Sequence, residues 1–131
     1  MKKFLFLALL LIAIASFGQE AKEIIGKPIK IGNLLVAEND FPDTMEWSDA
    51  KTACSELGKG WRLPTIEELR LLYLNQKKVK NFTSNNYWSS TNDNRGWYYL
   101  DFANSKKGYL SINNEFSSDI GSPNVRAVKS F

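Results

Sequence analysis

The 131-residue sequence contains no histidine and one cysteine, Cys54. Those two facts remove most side-chain chemistry: no Ser-His-Asp or Cys-His nucleophile, no imidazole base and no zinc site of the usual Cys/His kind. A carboxylate pair can still act as acid and base, but the adjacent Glu67 and Glu68 point about 100° apart on a helix and do not make such a pair. What remains is the chemistry of recognition. In Trp97-Tyr98-Tyr99-Leu100-Asp101-Phe102 the two-residue alternation of a strand puts Tyr98, Leu100 and Phe102 on one face and Trp97, Tyr99 and Asp101 on the other. The apolar set is expected to face the core. After a turn at Asn104 to Gly108, Leu110 and Ile112 are expected to continue that inward face while Tyr109, Ser111 and Asn113 look out. Trp97, Tyr99 and Tyr109, beside Asn92, Asp93, Asn94, Asp101 and Asn113, are thus the candidate ligand-binding residues. Flat rings give contact area at low entropic cost and amides fix orientation, a composition suited to a sugar or a protein epitope. The competing reading has these rings covering the underside of a loop as a second small core.

Two helices are expected to position this ribbon. Trp47, Ala50, Cys54 and Leu57 fall at i, i+3, i+7 and i+10 and share one face, with Thr44 or Glu46 as cap and Gly58 as stop. Cys54 on that face reads as a small buried hydrophobe. Thr65 and Glu68 have the spacing of a capping box, in which each side chain satisfies the other's free backbone amide. Ile66, Leu69, Leu72 and Tyr73 supply the apolar face of that second helix, which should fade by Asn75 or Gln76. Lys77 to Asn86 then reads as a polar loop. Before the helices, Ile29, Ile31, Leu34, Leu35 and Val36 form a strand pair broken near Gly32-Asn33, followed by a turn from Asn39 to Asp43. After the ribbon, Val125-Arg126-Ala127-Val128 reads as a last strand whose faces the alternation does not assign.

The chain opens with an export signature. Lys2 and Lys3 precede an apolar run from Phe4 to Ala15, and Ser16-Phe17-Gly18 places small residues before a cut ahead of Gln19. Residues 1–18 are expected to be a signal peptide, 19–26 a mobile leader, and 27–131 one domain. The apolar run falls short of the roughly 20 residues of a membrane-spanning helix, so no stable span is expected after cleavage. Removing Lys2 and Lys3 lowers the basic count from 17 to 15 against 14 acids, which makes nucleic acid a poor partner.

Trp47-Ser48-Asp49-Ala50-(x3)-Cys54, Trp61-Arg62-Leu63-Pro64-Thr65-(x2)-Glu68-Leu69, Tyr87-Trp88-Ser89-Ser90-Thr91, Tyr99-Leu100-Asp101-Phe102 and Val125-Arg126-Ala127-Val128-Lys129, in that order, resemble the Lcl C-terminal-domain family of secreted bacterial proteins. The resemblance runs from about Lys27 to the end. It implies a C-type-lectin-like α+β fold, two helices flanking small antiparallel β-sheets with a long loop region. It implies an exported module, in the periplasm, on the outer surface or outside the cell, that recognises a glycan or protein without catalysis. The alternatives are an enzyme or accessory related to the formylglycine-generating enzymes, which need a reactive cysteine pair, and a structural envelope protein with no small ligand. Two positions depart from the family. Ala127 stands where it often has cysteine, leaving Cys54 without a lectin-like disulfide partner, and Ser105 stands where a turn glycine is common. No cofactor is expected. Calcium, which takes about six to eight oxygens, could draw on Asn92, Asp93 and Asn94 with Asp101 or Asp119, but the sequence signatures of calcium-dependent lectins are missing and such residues more often form turns.

Overall fold

The structure, a computed structural model, describes residues 18–111 and 122–131. It is a mixed α+β arrangement of four helices and two small antiparallel sheets. Helix α1 covers residues 18–25. Strands β1 (Ile29–Ile31) and β2 (Leu34–Val36) form the expected hairpin about Gly32-Asn33, pairing Ile29 with Val36 and Ile31 with Leu34. Then come α2 (Trp47–Glu56), β3 (Trp61–Arg62), α3 (Ile66–Leu74), α4 (Gln76–Val79), β4 (Asn86–Asp93), β5 (Gly96–Asp101), β6 (Lys106–Ser111) and β7 (Val128–Ser130). One sheet has the order β1-β2-β7-β3 and the other β4-β5-β6.

The two principal helices are anchored at their starts in different ways, α3 by local chemistry and α2 by long-range bonds. In α3 the Thr65 side chain accepts from the Glu68 amide at 3.1 Å while Glu68 accepts from the Thr65 amide at 2.8 Å, so two orphan donors are satisfied reciprocally. Ile66, Leu69 and Leu72 are buried from this helix, and Ala50 and Cys54 from α2. Glu46 is the N-cap residue of α2 but makes no side-chain cap bond. That start is held instead by two indoles: Trp47 Nε1 donates to the Ser89 carbonyl at 2.7 Å and Trp88 Nε1 to the Met45 carbonyl at 2.8 Å.

Four segments differ from their sequence expectation. Residues 19–26, expected as a mobile leader, are helical up to Ile25 with Ile24 buried. The carbonyls that end α1 find donors across the chain: Glu23 from Asn39 Nδ2, Ile24 from the Asn39 amide and Ile25 from the Glu38 amide, at 2.9–3.1 Å. The polar loop expected from Lys77 begins with α4, because Val79 buries itself against the first core. The last strand starts at Val128, since the backbone at Val125 and Ala127 accepts from the Phe41 and Ala37 amides outside any named strand. Leu110 does not continue the face of Tyr98 and Leu100. The register pairs Trp97 with Leu110 and Tyr98 with Tyr109, so the hairpin puts Leu110 on the Trp97 side and Tyr109 on the other.

Strands β4 and β5 of the three-stranded sheet bury side chains on both faces. Tyr87, Tyr98, Leu100 and Phe102 pack with Ile66, Leu69, Leu72, Val36 and Val128 in a first core. On the opposite side Trp88 and Leu110 join Ala50, Cys54, Trp61, Leu63, Val125 and Ala127 in a second. Ala127 therefore shares an apolar cluster with Cys54, which is a free thiol, as the departure at Ala127 leads one to expect.

Candidate ligand-binding surface

The eight candidate residues do not form one surface. Asn92, Asp93 and Asn94 lie at the β4–β5 turn, where Asp93 pairs with Gly96. Asp101 pairs with Asn86 at the far end of the same ribbon, roughly 17 Å away at the usual rise of a strand. Tyr109 is exposed, but on the sheet face opposite Trp97 and Tyr99. Trp97 and Tyr99 are half-buried and pack against the second core. Trp97 stacks on Trp47 with ring centres 5.7 Å apart, and Tyr99 meets Trp88 edge-on at 6.3 Å. Any Cβ at Gly108 would collide with the Tyr99 ring, so glycine lets that ring lie flat against β6. These two rings fill a core that a recognition surface would have left open. Asn113, Ile112 and Asp119 lie outside the described residues.

At the turn, Asp93 is already committed. One carboxylate oxygen accepts from the Arg95 amide at 2.8 Å, and the other takes the Tyr98 hydroxyl and the Arg95 guanidinium at 3.0 Å. The Tyr98 hydroxyl, then Arg95, hold the Asp93 carboxyl well below the usual carboxylate range, and Asp93 in turn raises the Tyr98 hydroxyl. Asp93 thus braces a turn. Of the two carboxylates considered beside the turn for calcium, Asp101 is remote from it and Asp119 lies outside the described residues, and among the described residues no group of three or more acidic or cysteine side chains is placed to hold a metal.

At the other end of the ribbon the structure opens a polar cleft. It encloses about 390 Å³ and is lined by Thr44, Ser84, Asn85, Asn86, Asp101, Ala103, Ser122 and Asn124. Four segments converge here, one of them because Asn124 docks on the free edge of β4: the Asn124 amide donates to the Asn86 carbonyl at 2.7 Å and its carbonyl accepts from the Trp88 amide at 3.0 Å. The Phe102 amide donates to the Asn85 carbonyl at 3.0 Å, which ties the mouth of the cleft to β5. These bonds use backbone alone. Among the described residues the side chains of Asn85, Asn86 and Asn124 make no hydrogen bond within the chain, and Asp101 spends one oxygen on the Ala103 amide at 2.8 Å. Donors and acceptors are thus held on a fixed backbone with their side-chain capacity unspent.

Sequence reasoning found Asp101 but missed the asparagines around it. Asn85 and Asn86 fall in the stretch read as a polar loop, and Asn124 is not among the candidate residues. Their one local signal is a polar run that ends abruptly at the buried pair Tyr87-Trp88. A second cavity, about 180 Å³, lies between α1 and α2 and is lined mostly by apolar side chains, among them Ile24, Phe41, Met45 and Leu57.

Cys54 is fully buried, and burial pushes its thiol up to about 12. A thiol in that state is neither a nucleophile nor a metal ligand at neutral pH. No helix among the described residues is long and apolar enough to cross a membrane. Comparison with known proteins gives a family model, described as the Lcl C-terminal domain, that matches residues 28–129. No curated protein matches the chain.

Proposed function

Because the chain belongs to the Lcl C-terminal domain family, we propose that it is an exported binding module that holds a glycan or a protein at the cell envelope or surface and catalyses no reaction. The observation that carries this reading is the cleft beside Asp101, where asparagine side chains stand on a rigid backbone with no side-chain hydrogen bond among the described residues. Unspent amides at a concave surface are the usual means of orienting a ligand. Absence of histidine and burial of Cys54 support the non-catalytic half, because there is no imidazole base and burial keeps the one thiol protonated. The lysine and arginine excess of the full sequence sits partly in the expected export signal, so a long-range pull on polyanions is not the basis of the proposal. Export itself rests on Lys2, Lys3 and the apolar run that follows them.

The test is glycan-array and envelope-extract capture with the purified protein, with and without calcium. Saturable binding to a defined glycan or envelope protein is expected. Substrate turnover that disappears in Cys54→Ser, or no saturable binding in either format, would overturn the proposal.

A further inference from the structure

We infer that the cleft lined by Asn85, Asn86, Asp101 and Asn124 takes an uncharged saccharide unit, gripped through neighbouring hydroxyls without a metal ion. This deepens the binding-module reading and rests on it. The lining carries three primary amides, from Asn85, Asn86 and Asn124, and three hydroxyls, from Thr44, Ser84 and Ser122. Each amide offers donors and an acceptor side by side, and each hydroxyl can do either. Adjacent hydroxyls of a sugar present the same mixture.

Charge narrows the class further. Among the described residues no lysine or arginine lines the cleft, and the one ionisable side chain there is the Asp101 carboxylate. A sulfated, phosphorylated or carboxylated ligand would meet that carboxylate with no cation to offset it, a repulsion that costs most where water is excluded. An uncharged hydroxyl can instead donate to the Asp101 oxygen that the Ala103 amide leaves free, the charge-assisted bond that is the strongest on offer here. A nucleobase or aromatic ligand would need a stacking surface, and among the described residues the one apolar side chain in the lining is Ala103. A protein epitope would find no aromatic or arginine anchor among the described lining residues. A volume near 390 Å³ lies toward the lower end of small-molecule sites, about 300–1,000 Å³.

The experiment titrates the purified protein with paired neutral oligosaccharides, bearing terminal mannose, galactose or N-acetylglucosamine, and with heparin as the anionic probe, each with and without EDTA, read by calorimetry and amide NMR. The expected result is binding to at least one neutral probe that survives EDTA, exceeds binding to heparin, and falls at least about fivefold in Asn86→Ala and in Asn124→Ala, as loss of one or two hydrogen bonds requires. Melting of both variants should match the parent, because neither side chain has a hydrogen-bond partner among the described residues. Ser84→Trp, which fills an exposed part of the lining, should abolish binding, and Tyr109→Ala at the other end and face of the sheet should leave it unchanged. Preference for heparin, loss with EDTA, or neutral-sugar binding indifferent to the asparagine variants overturns the inference. If the protein captures an envelope protein and no sugar, the saccharide inference fails and the binding-module reading stands. If it binds neither, both fail.

Discussion

At Arg126 the chain takes a guanidinium fully out of water. Its Nε donates to Asp40 at 2.7 Å, and its two terminal nitrogens reach the carbonyls of Ala37 at 3.1 Å, Lys80 at 3.4 Å and Asn81 at 3.0 Å. The Phe82 ring lies 4.2 Å from the guanidinium carbon. Asp40 is shared, because its other oxygen accepts the Tyr87 hydroxyl at 2.6 Å. Burial first, then this carboxylate, push that hydroxyl up to about 12. Three loops far apart in sequence are joined by five donor–acceptor pairs, and Lys80 and Asn81 adopt left-handed backbone angles, φ 64° and 62°, where their carbonyls serve that arginine. Such a pair adds little net stability compared with apolar residues of the same volume, yet removing one partner leaves a charge stranded. Asp40→Ala is therefore expected to cost about 3–5 kcal/mol in urea unfolding. A loss under about 1 kcal/mol would mean that the carbonyls alone satisfy the arginine.

On α3 the capping box does more than start a helix. Arg62 grips Glu68 with both terminal nitrogens, at 2.7 and 2.9 Å, and one of them also reaches the Ser130 hydroxyl at 2.8 Å, so β3, β7 and the helix start are tied together. Hydrogen bonds from Arg62, partly offset by burial, lower the Glu68 pKa. A carboxyl lowered on folding contributes stability above its unfolded pKa and loses it as pH falls through the folded value. Glu68→Gln should thus cost about 1 kcal/mol near pH 7, held to that size by the water open to Arg62, and the gap from the parent should close as pH is taken below the ordinary carboxylate range. Melting temperature across pH 2–7 checks this, and a constant gap would refute it. In the β5–β6 turn Ser105 sits at φ 61°. Left-handed backbone costs a non-glycine residue about 1–2 kcal/mol, part of which glycine gives back through a freer unfolded chain. Ser105→Gly is expected to stabilise by about 0.5–1 kcal/mol, and destabilisation would mean that the side chain holds the turn. Elements written in local chemistry were legible in the sequence: the Thr65-Glu68 box, the Ala50-Cys54 face, the hairpin at Gly32-Asn33, and the alternation that buries Tyr98, Leu100 and Phe102. Pairings between distant segments were not. Alternation could not say that Leu110 would register with Trp97, nor that Asn124 would dock on β4 beside Asn86 and make a cleft with Asp101.

Adjacent residues along the chain repeatedly face opposite cores. Val36 and Ala37, Tyr87 and Trp88, and Val128 and Ala127 each divide between the two clusters, with Leu100 in the first and its neighbour Tyr99 packed against the second. Neither core can loosen without tilting a strand that also walls the other, so the two are expected to melt as one despite being separate sets of contacts. The sequence supplies a natural reporter for this. All four tryptophans lie on one side, Trp61 and Trp88 within the second core and Trp47 and Trp97 packed against it. Leu72 is fully buried in the first core on α3. Leu72→Ala should therefore destabilise by about 2–5 kcal/mol through the cavity it leaves. Tryptophan fluorescence, which sees the other core, should shift its unfolding midpoint by the same amount as far-ultraviolet circular dichroism. If fluorescence held its parental midpoint while helical signal was lost early, the shared strands would be transmitting nothing, and the rigid wall that the cleft at Asn86 and Asp101 depends on would belong to only half of the molecule.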